Sequence, residues 1–283
     1  MPKMIETLDD IVGGYSALFC DVWGVIHNGI DVFEGAVAAL RRARERGVAV
    51  VLITNSPRRR DGVIEQLISM GADPECWDRI VTSGDVTRDL ISAGPRRVLH
   101  IGPDRDLSLY DGLDVEMAEE FEAQAIVCTG LVDDDVETPE DYTELLQRLR
   151  MRNLPFICAN PDIVVERGDR LIWCAGALAR DYAQMGGRTL IAGKPHRPIY
   201  EAAQQAAAEL LGRAPEKNEV LAIGDGVLTD VKGASDHGLD VLFVSAGIHA
   251  GEYGASMAPD RSQLAAFLEK HGYGPVAVIP RLR

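Results

Sequence analysis

Short apolar runs alternate with stretches whose apolar residues recur at helical spacing along both ends of the chain. Ala17 to Cys20 and Val48 to Ile53 predict strands, with helices over Glu34 to Arg46 and Gly62 to Met70 between and after them. The same rhythm returns near the end: Val220 to Ile223 and Val241 to Val244 predict strands, Thr229 to His237 and Ser262 to His271 helices. A β-α-β-α order of this kind predicts a Rossmann-like, doubly wound parallel sheet with both ends of the chain in one α/β core.

The middle of the chain carries its own elements. Val98 to Ile101, Ala125 to Cys128 and Phe156 to Ala159 predict strands, and Pro139 to Arg150 and Cys174 to Met185 predict helices. Its edges are read at a Thr82-Ser83-Gly84 turn and at the Gly186-Gly187 pair, where glycine permits a change of direction. The expected organisation is a core of residues 1–83 and 188–283 interrupted by an inserted α/β cap of residues 84–187, which suits a length of 283 residues.

Charge narrows the partners. A formal net charge of -15 with no face-length run of Lys and Arg repels nucleic acid and anionic membrane, and leaves small ligands as the expected partners. An anionic ligand would then need local positive charge from a metal ion, a lysine or helix N-termini. Five cysteines, an odd number and never spaced as C-x-x-C, suggest neither a disulfide framework nor a zinc site. No segment approaches the ~20 apolar residues that span a bilayer, and Met1 to Gly14 carries acids without a long apolar run, so a cytoplasmic location is expected.

Ligands of open parallel sheets bind beyond the carboxyl ends of the strands. Four polar positions directly follow apolar runs: Asp21 after Ala-Leu-Phe-Cys, Thr54 after Val-Val-Leu-Ile, Lys194 after Leu-Ile-Ala-Gly, and Asp225 after Leu-Ala-Ile-Gly with Asp230 five residues on. Each alone has a local explanation as a turn residue, a helix cap or a solvated lysine. Together, and in this order, they make a nucleophilic carboxylate, a hydroxyl, a cation and an acidic pair.

In these motifs the chain resembles the haloacid dehalogenase (HAD) superfamily. Asp21-Val22-Trp23-Gly24-Val25, Thr54-Asn55, Gly193-Lys194-Pro195 and Gly224-Asp225-Gly226-Val227-Leu228-Thr229-Asp230 match its four motifs in order. The insert, with Thr82-Ser83-Gly84 and Ala159-Asn160-Pro161-Asp162, is similar to the α/β cap of the NagD-like class IIA branch. The resemblance implies a phosphatase in which Asp21 attacks phosphorus, Thr54 and Lys194 hold phosphoryl oxygens, and Mg2+ is bound by Asp21, the Trp23 carbonyl and Asp225, with Asp230 beside them. It also implies that Asn160 and Asp162 face a small phosphorylated metabolite. Independently of the resemblance, arginines at the start of the helix after Thr54 oppose its dipole, so Arg58 is a candidate to meet an anion at the mouth of the site, and Asn55 is a further substrate-binding candidate. Caps of this branch offer a dimer surface, so a homodimer is an open expectation.

Trp23 departs from the pattern, because HAD phosphatases place there the aspartate that protonates the leaving oxygen, and indole cannot donate in that way. Such general acid help is worth about 10²–10⁴-fold. Three consequences stay open: a slow phosphatase for esters with good leaving groups, recruitment of His27 as the acid, or a non-catalytic module that binds a phosphorylated metabolite. A local hydrogen-bonding role for His27, solvent exposure for Arg58-Arg59-Arg60 and for Asp133-Asp134-Asp135, and a simple turn at Asn160-Pro161-Asp162 are the competing structural readings. A dinucleotide site is excluded because Gly224 to Thr229 fails G-x-G-x-x-G, and a P-loop because Pro195 follows Gly193-Lys194.

Overall fold

The computed structural model describes residues 3–283. In chain order the first strands are β1 (Lys3–Met4), β2 (Ala17–Cys20), β3 (Ala49–Thr54) and β4 (Arg79–Thr82), with helices α1 (Glu34–Glu45) and α2 (Arg60–Ser69) between them. Helix α3 (Ser83–Ser92) leads into β5 (Arg97–Ile101), β6 (Glu116–Met117), β7 (Ala125–Cys128), α4 (Thr143–Met151) and β8 (Phe156–Cys158). There follow the hairpin strands β9 (Val164–Arg167) and β10 (Arg170–Trp173), α5 (Ala175–Gln184), β11 (Thr189–Ile191) and α6 (Arg197–Leu211). The chain ends with β12 (Val220–Gly224), α7 (Lys232–Asp236), β13 (Asp240–Val244), a short hairpin of β14 (Gly254–Ala255) and β15 (Ala258–Pro259), α8 (Arg261–His271) and β16 (Ala277–Ile279).

The chain divides into two compact units: one holds the chain up to Thr54, Ile64–Val81 and Tyr200–Arg283, the other Asn55–Val63 and Thr82–Ile199. In the first, seven strands run in the order β1-β16-β13-β12-β2-β3-β4. The pairings of β2 with β3 and β12, of β12 with β13, and of β13 with β16 are all parallel. Both central strands, β2 and β3, are buried along their whole length, which is why they read as unbroken apolar runs and not as alternating ones. Helix α1 buries Ala36, Ala39, Leu40 and Ala43, the i, i+3, i+4, i+7 stripe of an amphipathic helix.

The second unit has a parallel sheet of its own, β11-β8-β7-β5-β6. Alternate residues of β7 feed two clusters: Ile126 and Cys128 pack with Leu131, Leu146, Leu149, Phe156, Leu178 and Tyr182, while Ala125 and Val127 pack with Ile91, Val98, Leu109 and Ile157. This α/β doubly wound core with an inserted α/β element is the expected fold class. The Thr82-Ser83-Gly84 segment, however, is no turn. Strand β4 runs into α3 without a break, and the Thr82 hydroxyl caps the helix by accepting from the Asp85 N–H at 2.9 Å. Gly84 is needed inside the helix because a side chain there would collide with the carbonyls of Pro57 and Arg58.

The acidic run Asp133-Asp134-Asp135 lies at the surface as expected, with Asp133 and Asp135 exposed, but it is paired with arginines. Asp134 pairs with Arg105 and Arg167, and Asp135 with Arg167 and Arg170, so the acidic run ties down the β9–β10 hairpin. Leu146→Ala in the second unit, a fully buried position, should cost about 2–5 kcal/mol and lower the thermal unfolding midpoint measured by circular dichroism.

Candidate active site

In the first sheet the chain proceeds from β2 to β3 and β4 on one side, and from β12 to β13 and β16 on the other. The β2/β12 boundary is therefore a topological switch point, where connections diverge and leave a crevice beyond the strand ends. Asp21 and Asp225 are the first residues past β2 and β12, and Thr54 is the last of β3. Ladder pairing sets them side by side: Cys20 is in register with Ile223 and with Leu52, and the Asp21 N–H donates to the Ile223 carbonyl at 2.8 Å.

Asp21, Asp225 and Asp230 are buried, and each offers a carboxylate oxygen within 4.8 Å of the other two. One oxygen of each is held by a backbone N–H: Asp21 Oδ1 by Val22 at 2.7 Å, Asp225 Oδ2 by Ile248 at 2.9 Å, and Asp230 Oδ2 by Gly226 at 3.0 Å. These bonds orient the carboxylates but do not neutralise them. At an effective dielectric near 20, two unit charges at this separation repel by about 3 kcal/mol. A divalent cation with oxygen ligands relieves that repulsion, and the all-oxygen donor set suits magnesium.

Bare backbone makes the convergence possible. Gly24 has φ +86°, and a Cβ on Gly24 or Gly247 would collide with Oδ2 of Asp225. Gly247 and the Ile248 N–H escaped sequence reasoning, although Ser245-Ala246-Gly247 directly follows the apolar strand β13 and so carried the same strand-end signal.

Trp23 is half-buried, edge-on to the His27 ring with centroids 4.9 Å apart, and packs against Gly29. His27 is buried, its Nδ1 accepts from the Gly29 N–H at 2.8 Å, and desolvation pushes its pKa down to about 4. An imidazole in that state is neutral at pH 7, and its one remaining ring N–H is far too weak an acid to protonate a leaving oxygen. The local hydrogen-bonding reading of His27 fits this environment better than recruitment as the acid.

The remaining candidates belong to the second unit. Asn55 uses its whole amide: Oδ1 accepts from the Lys194 N–H at 2.7 Å, while Nδ2 donates to Asp162 Oδ1 at 2.8 Å and to the Lys194 carbonyl at 3.2 Å. Lys194, expected on the core, follows β11, which is paired with β8, and so groups with the insert. Asn160 accepts from the Asp162 N–H at 3.1 Å, an Asx turn across Pro161. Arg58, Arg59 and Arg60 are paired with Asp106, Asp111 and Asp85 at 3.7, 3.8 and 3.5 Å, so the run is neither purely solvated nor held for an outside anion.

Comparison with known proteins agrees with this arrangement. Residues 18–116 match a family model described as haloacid dehalogenase-like hydrolase, and residues 191–268 a second, HAD-hydrolase-like model. The crystal structure of a hydrolase of the haloacid dehalogenase-like family from Brucella suis 1330 is 60% identical, with 99% of this chain and 100% of that one covered and a TM-score of 0.90. The chain belongs to the haloacid dehalogenase-like family of hydrolases. An acid sugar phosphatase of Staphylococcus aureus (strain USA300) is 28% identical over 83% of this chain and 88% of its own. NagD from E. coli K-12 shares the fold of this hydrolase, with a TM-score of 0.66 at 20% identity over 94% of this chain and 96% of that one. Among the described residues no helix is long and apolar enough to cross a membrane.

Two outcomes follow for this HAD hydrolase. Asn55→Asp would bring a carboxylate against Asp162 and should destabilise by about 2 kcal/mol, while Asn55→Asp with Asp162→Asn reinstates a donor and an acceptor; a double-mutant cycle by thermal unfolding reads the recovery. Because the folded pKa of His27 lies below its usual 6.5, the stability it contributes is complete above pH 6.5 and is lost as pH falls toward 4. His27→Gln should remove about 3 kcal/mol of that acid dependence, measured by unfolding from pH 7 to pH 4.

Proposed function

We propose that this hydrolase is a metal-dependent phosphatase acting on a small phosphorylated metabolite through Asp21. The observation that carries the reading is the convergence of Asp21, Asp225 and Asp230 at one strand-end crevice. Magnesium would be held by Asp21, the Trp23 carbonyl and Asp225, with Asp230 beside them, and would supply neutralisation of the charge between carboxylate and phosphate.

Asp21 has the position for nucleophilic attack: it directly follows a buried strand, and the Val22 N–H on Oδ1 fixes the rotation of its carboxylate. A carboxylate oxygen bonds to phosphorus as the ester P–O bond breaks, giving an aspartyl-phosphate that water hydrolyses to inorganic phosphate with return of the carboxylate. Thr54, as the final residue of β3, offers a hydroxyl to a phosphoryl oxygen, and Lys194 offers a cation. Asn55 is better cast as the residue that positions the Lys194 backbone than as a direct substrate ligand. Asn160, Asp162 and Arg58 stay candidates for contact with the organic part of the substrate.

Trp23 and a neutral His27 leave the first unit without the usual proton donor, so the leaving group must depart with little protonation. Aryl and acyl phosphates meet that condition. Phosphatase and nucleotidase names among the relatives support the reaction type. The second reading, a module that binds a phosphorylated metabolite without turnover, is favoured by the same Trp23.

Phosphate release from aryl, acyl, sugar and nucleotide phosphates, with and without Mg2+, separates the two. The expected result is turnover that requires the metal and falls at least about a thousandfold in Asp21→Asn. Equal inertness of wild type and Asp21→Asn, with ligand binding retained, would sink the phosphatase reading in favour of the binding module.

A further inference from the structure

Asp225 and Asp230 stand five residues apart, a spacing that an α-helix of about 3.6 residues per turn does not place on one face. Residues Val227–Val231 instead form a π-helical turn between β12 and α7. The Val231 N–H donates to the Gly226 carbonyl at 3.0 Å, the i→i−5 bond of such a turn, and the Asp230 N–H reaches the same carbonyl at 2.8 Å. The widened turn carries the Asp230 carboxylate back toward the strand end, where it accepts from the Gly226 N–H. Bare backbone at Gly224 leaves it room, since a Cβ there would collide with the Asp230 carboxyl. Single π turns are rare and occur frequently at functional sites.

Tyr200 lies against this turn. It sits on α6, is buried, and belongs with the turn to the first unit. Its hydroxyl donates toward the carbonyls of Thr229 and Asp230, 3.4 Å from each. Either contact alone is long for an O–H···O bond, so the hold is shared between two carbonyls and the fit of the ring. That fit is close. A Cβ on Gly233 would collide with the Tyr200 hydroxyl, and the His237 ring stacks on Tyr200 with centroids 4.5 Å apart and planes at 20°. His237 is fixed in turn, its Nδ1 donating to the Gly233 carbonyl at 2.7 Å. Phenylalanine would bury the same ring, so what tyrosine adds is the bond to the turn that carries Asp230.

We propose that Tyr200 is a positioning residue for Asp230: its hydroxyl and its ring, backed by His237, fix the π turn and thereby the place of the Asp230 carboxylate beside a bound cation. The assignment rests on the reading of Asp21, Asp225 and Asp230 as the metal-binding cluster. Position matters more for one cation than for another. Magnesium demands near-octahedral geometry, whereas calcium accepts irregular shells of oxygen. Loosening the turn while the carboxylate keeps its charge therefore weakens magnesium more than calcium, while removal of the charge weakens both.

Calorimetric titration of the full chain with MgCl2 and with CaCl2, on wild type, Tyr200→Phe, Tyr200→Leu and Asp230→Asn, tests the assignment. Melting temperatures are measured alongside without metal. The Kd for Mg2+ should rise about threefold in Tyr200→Phe, the size of one weak hydrogen bond. In Tyr200→Leu it should rise about tenfold, as for loss of an outer partner of a metal site. The Kd for Ca2+ should change less in both, and Asp230→Asn should weaken both cations. If Mg2+ binds both Tyr200 variants as it binds wild type while Asp230→Asn binds it more weakly, the proposal is overturned and the cluster reading stands. Equal losses for Mg2+ and Ca2+ in the Tyr200 variants, with lowered melting temperatures, report general loosening and overturn it too. If wild type binds neither cation, or Asp230→Asn binds both as wild type does, the cluster reading fails and the proposal fails with it.

Discussion

Mutual repulsion among Asp21, Asp225 and Asp230 is the constraint to which the rest of the first unit answers. Three buried carboxylates with oxygens within 4.8 Å of one another stand only where backbone N–H groups orient them and a cation can join them. Parallel pairing of β2 with β12 brings two of the acids to adjacent strand ends, and the turn after β12 brings back the third. Glycine at 24 and 247 is a consequence of that crowding, since Asp225 occupies the space a side chain would need. The chemistry and the packing are thus one problem, in which moving any carboxylate outward would relieve the charge and dismantle the ligand set.

The same topological device occurs twice in the chain. A switch point between β2 and β12 holds the acidic cluster, and one between β5 and β7 holds Asp106, Thr129 and His100. The two differ in electrostatics. Three carboxylates in the first call for a cation, whereas the single carboxylate of Asp106 in the second is met by the Thr129 hydroxyl and by Arg58. Asn55 has a comparable role in organising the second unit, where one amide joins the Lys194 backbone to Asp162 and leaves none of its polar atoms idle.

Trp23 bears on mechanism without disturbing the architecture. Its ring packs against Gly29 and edge-on to His27, so the position is filled by a well-packed aromatic and not by a gap. Burial of His27 under that ring is what lowers its basicity, and the loop that follows the nucleophile therefore offers packing where the family pattern offers a second acid.

The sequence by itself determined the strands and what stands at their ends. Asp21, Thr54 and Asp225 were legible because a buried parallel strand must be a continuous apolar run, and the first polar residue after it marks the carboxyl end. The insert was legible for the same reason. Only the tertiary structure decided the rest, because it depends on residues far apart in the chain. Asn55 meets Asp162 and Lys194, 107 and 139 residues away, and no local pattern distinguishes a clamped amide from a ligand-binding one. The arginines after Thr54 likewise found acids on later elements, Gly84 proved to be helical through its contact with Pro57, and Asp106 and Thr129 came together through strand order alone. Local periodicity reports how a segment is buried; which buried polar groups meet is set by the order of strands in the sheet.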